Sequence, residues 1–138
     1  MSRNFVLTMA SVVIMLATNG AANAQLVTVK ANYTAPMGMQ PATANPSGTF
    51  SLPKTMDEWR VMVDFGTFDS GNFKVWNGPG PQSVGVVGNP FNGINGNWGP
   101  VGAQQLGGAP AGLYVRARLQ KKVGMAWNDV ADDLAACP

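Results

Sequence analysis

The chain has 138 residues, with nine Lys or Arg, seven Asp or Glu, one Cys and no His, for a formal net charge of +2. That length suits one domain. The absence of histidine excludes His-based catalytic triads. One cysteine without histidine leaves no ligand set for zinc or copper, and the sparse basic charge lacks the clustered face of a nucleic-acid binder. No cofactor is implied.

Residues 1–24 read as a secretory signal peptide. Arg3 supplies the positive start, residues 5–17 are an uncharged and mostly apolar run, and Ala22-Asn23-Ala24 gives the small-x-small cleavage pattern. The run is too short to span a bilayer as a helix. The expectation is a secreted protein whose mature chain starts at Gln25, with no membrane partner after cleavage.

Residues 26–34 alternate, with Val27, Val29, Ala31 and Tyr33 on one side and Thr28, Lys30 and Asn32 on the other. Period two indicates a half-buried strand. Asn32-Tyr33-Thr34 is also an N-glycosylation sequon. Residues 35–47 carry three prolines and no periodicity, which predicts a loop. Residues 48–52 form a short strand candidate, and 53–58 a polar turn.

Residues 59–65 give the clearest strand, with Trp59, Val61, Val63 and Phe65 sharing one face, and its place is predicted to be central in a sheet. Asp69-Ser70-Gly71-Asn72 reads as a turn. Residues 73–76 form a short strand, read with Phe73 and Val75 inward and Trp76 outward. Residues 84–87 are a further strand candidate. Residues 89–110 are too rich in Gly, Asn and Pro for a helix.

Residues 113–119 alternate again, with Leu113, Val115, Ala117 and Leu119 inside. Arg116, Arg118, Lys121 and Lys122 read as a solvated strand face and turn, residues 123–127 as a last strand, and 129–138 as a C-terminal tail. Seven to eight short strands between turn-rich loops predict an all-β domain over residues 25–128, an antiparallel immunoglobulin-like β-sandwich.

Between Ser70 and Val115 the only charged residue is Lys74. The stretch 75–98 offers instead rings, amides and glycines, including the repeated phrases Trp76-Asn77-Gly78 and Phe91-Asn92-Gly93. A sugar presents an apolar C–H face and a rim of hydroxyls, which exposed rings and side-chain amides can match without charge. Tyr33, Trp76, Phe91 and Trp98 are the candidate exposed rings. Trp59, Phe65 and Phe73 are assigned to the core. No pair of the seven carboxylates is brought together by the pattern, as glycoside hydrolysis would need.

In this order and spacing the chain resembles the family 2 carbohydrate-binding modules, secreted β-sandwiches that bind cellulose and chitin and are often attached to glycoside hydrolases. The resemblance rests on Asn32-Tyr33 at the end of an early strand, on the Trp59-to-Phe65 strand followed by Trp76-Asn77, and on Asn89-Pro90-Phe91-Asn92-Gly93. It implies a flat strip of Tyr33, Trp76 and Phe91, with Asn77 and Asn92 as hydrogen-bonding neighbours, and assigns no role to Trp98. It departs from the family in carrying Phe rather than Trp at position 91. The family's terminal disulfide has no early partner for Cys137, because that place falls near Ala24 or Gln25.

The expected function is therefore non-catalytic binding of a polysaccharide, cellulose or chitin, by a whole protein or a module of a longer hydrolase. Two other readings stand beside it. One is a structural or adhesive protein joined as a disulfide-linked dimer through Cys137. The other is a small wall-active enzyme using Glu58, the only glutamate.

Overall fold

A computed structural model describes residues 26–88 and 93–138; the expected signal peptide, Phe91 and Asn92 lie outside them. The described residues form antiparallel β-structure without a helix, in ten strands. These are β1 (Tyr33–Thr34), β2 (Thr43–Ala44), β3 (Gly48–Leu52), β4 (Glu58–Asp69), β5 (Asn72–Val75), β6 (Gln82–Val87), β7 (Ile94–Trp98), β8 (Gln104–Gln105), β9 (Tyr114–Val123) and β10 (Ala126–Ala136).

The largest sheet has five strands in the order β10, β9, β4, with β5 and β6 sharing the far edge of β4. β6 pairs with β4 from Glu58 to Val63, and β5 with β4 from Gly66 to Asp69. The predicted central strand is thus central. Trp59, Val61, Val63 and Phe65 are all buried, as are Leu113, Val115, Ala117 and Leu119 at the start of and along β9.

The remaining strands form smaller sheets. The arm at residues 26–31 runs antiparallel to β3 through bridges at Val27↔Phe50 and Lys30↔Ser47, and β3 pairs with β7. Pairing resumes beyond the arm as β1, β2 and β8. The break falls at Asn32, held at φ 49, a left-handed conformation that Asn tolerates better than most residues. Its side-chain nitrogen donates to the Asn45 carbonyl at 2.8 Å and to Ser47 Oγ at 2.9 Å, pinning the corner.

Val27, Val29, Ala31, Ala44, Phe50, Leu52 and Trp98 from this side join the buried residues of the large sheet in one hydrophobic cluster. Each fully buried Val, Leu or Phe contributes about 1.5–3 kcal/mol. A polar link adds to the apolar one: the Val29 amide donates to Asp133 Oδ2 on β10 at 2.9 Å.

Three expectations are corrected. First, Phe73 and Val75 do not face inward, and Trp76 does not face outward. Ser70 (φ 52) and Gly71 (φ 82) make a two-residue turn that pairs Phe68 with Phe73. Counting from buried Phe65, that register puts Phe68 and Phe73 on the outer face and returns Trp76 to the inner one, where its amide donates to the Phe65 carbonyl at 2.8 Å. Second, Lys121 and Lys122 lie within β9, and the turn falls after Val123, where Gly124 has φ 64. Third, residues 129–136 are not a tail. They are most of edge strand β10, paired with β9 as far as Tyr114↔Ala136. Its inward residues Ala131, Asp133 and Ala135 are small or charged, so its alternation carries little hydropathic contrast.

Positive φ at both central residues is the mark of a type I′ hairpin, for which Asn-Gly is the preferred pair. Ser70→Asn is expected to raise stability by roughly 0.5 kcal/mol, read as a higher urea midpoint with unchanged slope. A lower midpoint would contradict the register described here.

Candidate functional site

The rings expected to form a strip occupy different environments. Trp98 is 1 % exposed, and its Nε1–H donates to the Thr28 carbonyl at 2.9 Å. It is a core residue, and the expectation that it faces a ligand does not hold: strand β7 places Ile94, Gly96 and Trp98 toward the core side and Asn95 and Asn97 outward. Trp76 is half-buried and packs against the core. Its own turn covers it, since a Cβ added at Gly78 would fall on the six-membered ring. Tyr33, on β1 of the three-stranded sheet, is likewise half-buried against the core. Asn77 is exposed.

Phe68, the one exposed ring among the described residues, stands instead with half-buried rings on the outward face of the five-stranded sheet. At one end Phe68 stands edge-on to Phe73 and to Tyr114, each pair with centroids 5.5 Å apart. Phe68 is 43 % exposed, while Phe73 and Tyr114 are half-buried. At the other end Trp127, also half-buried, pairs across from Lys122. Tyr114 and Lys122 are the outward residues nearest the two ends of β9, roughly 26 Å apart at ~3.3 Å per residue.

Between the two ends runs a ladder of paired polar groups. Asp64, only 6 % exposed, accepts from Arg116 Nη2 at 3.3 Å and Arg118 Nη2 at 3.0 Å. Arg118 Nη1 lies 3.5 Å from Asp129 Oδ1, which also accepts from Gln120 Nε2 at 2.7 Å. Gln120 Oε1 in turn accepts from Arg60 Nε at 2.7 Å. Guanidinium groups then meet the rings. Arg60 lies 4.4 Å from the Trp127 centroid and Arg116 4.2 Å from that of Phe73, within cation–π range. Lys122 completes the edge with an ion pair to Glu58 at 3.2 Å.

A bulge shapes this face. The register between β9 and β10 shifts after Leu119, leaving Val130 unpaired between Asp129 and Ala131. Extra residues of this kind bend a strand and re-aim its side chains. A shallow cavity of about 270 Å³ opens there, lined by Arg116, Arg118, Asp129, Val130, Ala131 and Asp132.

Sequence reasoning treated Arg116 and Arg118 as a solvated face and missed the ladder. Asp64, Arg116 and Arg118 each stood on the polar side of a clean alternation, but only the register brings them together. The other titratable groups of note lie apart. Asp57, the residue before β4, has its carboxyl held below the usual 3.8 by hydrogen bonds from the Thr55 hydroxyl and from Lys121. Cys137 is 7 % exposed, and burial raises its thiol above the usual 9.0. Both facts disfavour the thiolate that a disulfide between chains would require.

No family model, curated protein or solved structure matches the chain.

The ladder predicts unequal roles for its carboxylates. Asp64→Asn leaves two half-buried guanidinium groups without their shared counter-charge and is expected to cost about 3 kcal/mol. Asp129, with a side chain 57 % exposed, should cost under about 1 kcal/mol as Asn. Urea unfolding of the two variants measures this; equal losses would contradict the ladder.

Proposed function

We propose that the chain is a secreted, non-catalytic carbohydrate-binding domain. In this reading it is an immunoglobulin-like β-sandwich that holds a neutral polysaccharide, cellulose or chitin, on the outward face of its five-stranded sheet. One observation carries the reading: exposed Phe68 and half-buried Trp127 stand at opposite ends of a ladder in which both carboxylates are paired with guanidinium groups.

Pyranose rings need apolar planes to rest on and donors and acceptors along their rims. Phe68 and Trp127 with their neighbours supply the planes. The guanidinium edges, Gln120 and the carboxylate oxygens supply both hydrogen-bonding senses. Covering roughly 100 Å² at one ring contributes about 2.5 kcal/mol, part of which is offset by ordering and desolvation. The Phe68 cluster and Trp127, on one face, therefore act together.

The same ladder weighs against acid–base chemistry. Asp64 is engaged by two guanidinium groups and Asp129 by one and an amide. Glu58, the residue on which a wall-active enzyme would depend, is ion-paired to Lys122 at the start of β4. The burial of Cys137 weighs against a chain-linking structural role.

Co-sedimentation with microcrystalline cellulose and with chitin tests the proposal. The wild type should leave the supernatant with at least one of them. Trp127→Ala and Phe68→Ala should each weaken binding about tenfold. The proposal fails if the wild type stays in solution with both solids, or if both variants bind as the wild type does.

A further inference from the structure

On the two-stranded sheet of β3 and β7, a second cavity of about 320 Å³ opens over the arm, β3 and the end of β7. Its polar lining is Thr28, Lys30, Ser47, Thr49 and Asn97, with Pro100 on its rim. The strands set these residues in rows. Thr28 and Thr49 are cross-strand neighbours whose hydroxyls share a 2.6 Å hydrogen bond, and Thr49 pairs with Asn97 on β7. Lys30 lies opposite Ser47 in the next row.

The groups are unequal in kind. Two threonine hydroxyls carry two protons, and the bond between them uses one. Thr28 Oγ1 already accepts the Thr49 amide at 3.0 Å. Ser47 Oγ already accepts from Asn32 at 2.9 Å, so its own proton is left to donate. Lys30 brings three donors and a positive charge, and no carboxylate is among the lining residues. The cavity therefore offers an excess of N–H and O–H donors around one cation. That is the complement of an oxyanion carried on a hydroxyl-bearing group.

The floor is rigid. Trp98 lines the cavity from beneath with its indole bonded to the Thr28 carbonyl. A Cβ on Gly48 would fall on that same carbonyl and lie 2.7 Å from Trp98 Nε1. Strands that approach this closely hold the backbone of the donor rows in place, which lowers the ordering cost of binding.

We propose that this cavity is a second ligand site, which takes the anionic group of an acidic saccharide, a uronate or sulfate ester, on Lys30, with Thr49, Ser47 and Asn97 holding the adjoining hydroxyls. The saccharide part of the inference rests on the carbohydrate-binding reading, whereas the anion part does not. The site is on the other sheet from the ring-bearing face, so the two are separable by mutation.

The test is calorimetry paired with the Trp98 indole N–H signal in NMR, on the intact protein. The probes are a galacturonate trisaccharide, a sulfated disaccharide, neutral cellotriose and inorganic sulfate. At least one acidic saccharide should bind and shift the Trp98 signal, more weakly as salt is raised. Lys30→Gln should weaken that binding about tenfold, and Lys30→Arg should restore most of it. Asn97→Ala should weaken it while leaving the melting temperature unchanged. Cellulose or chitin co-sedimentation of Lys30→Gln should equal that of the wild type, which separates failure here from failure of the ring-bearing face. The inference is overturned if neither acidic saccharide moves the Trp98 signal, if cellotriose binds as well as they do, or if inorganic sulfate alone binds equally.

Discussion

Strand β4 sets the sidedness of the large sheet. β9, β5 and β6 all pair directly with it, and pleating sends successive side chains to opposite faces. Once Trp59, Val61, Val63 and Phe65 are committed to the core, Arg60, Met62, Asp64 and Phe68 must lie outside. The register then delivers Arg116 opposite Asp64, Gln120 opposite Arg60 and Phe73 opposite Phe68. A slip of one residue would carry every one of these groups into the apolar cluster, at a cost no single ion pair could offset. The ladder and its terminal rings are thus consequences of core burial.

The two-stranded sheet of β3 and β7 is held to the same core by a different device. Trp98 is buried in the hydrophobic cluster and satisfies its one polar group on the Thr28 carbonyl. That bond joins β7 to the arm across β3, which lies between them in the pairing order. Close approach at this point demands a residue without a side chain, and Gly48 supplies it. The Val29–Asp133 bond closes the arm onto β10. A buried aromatic, a glycine and a carboxylate thus position an arm that has few regular pairings of its own. The same indole forms the floor of the donor-lined cavity, so fold and proposed second site share one contact.

Strands with hydropathic contrast were legible in the sequence: β3, β4, β9 and the arm read directly from apolar residues at spacing two. β7 was concealed because Asn and Gly have weak strand preference, although Ile94, Gly96 and Trp98 at spacing two carried the signal. β10 was concealed because its inner face is Ala, Asp and Ala. The candidate rings were misplaced for a related reason. A stretch without charge was read as a ligand surface, yet the lack of charge at Trp76 and Trp98 reflects contact with the core. The parity of Trp76 could have been obtained by carrying the inward count from Phe65 through the two-residue turn at Ser70-Gly71. The ladder could not, because it depends on the mutual register of β4, β9 and β10, which are far apart in the chain.

The proposed polysaccharide surface is the outward side of β4, β9 and β10, whereas Trp76 and Trp98 serve the core. The most direct measurement is a map of NMR shifts on titration with soluble cello- and chito-oligosaccharides. The account predicts that the largest changes fall on Phe68, Tyr114, Arg116, Gln120 and Trp127, with Trp76 and Asn77 little affected. Changes centred on Trp76, Asn77 and Tyr33, with β9 and β10 silent, would contradict it.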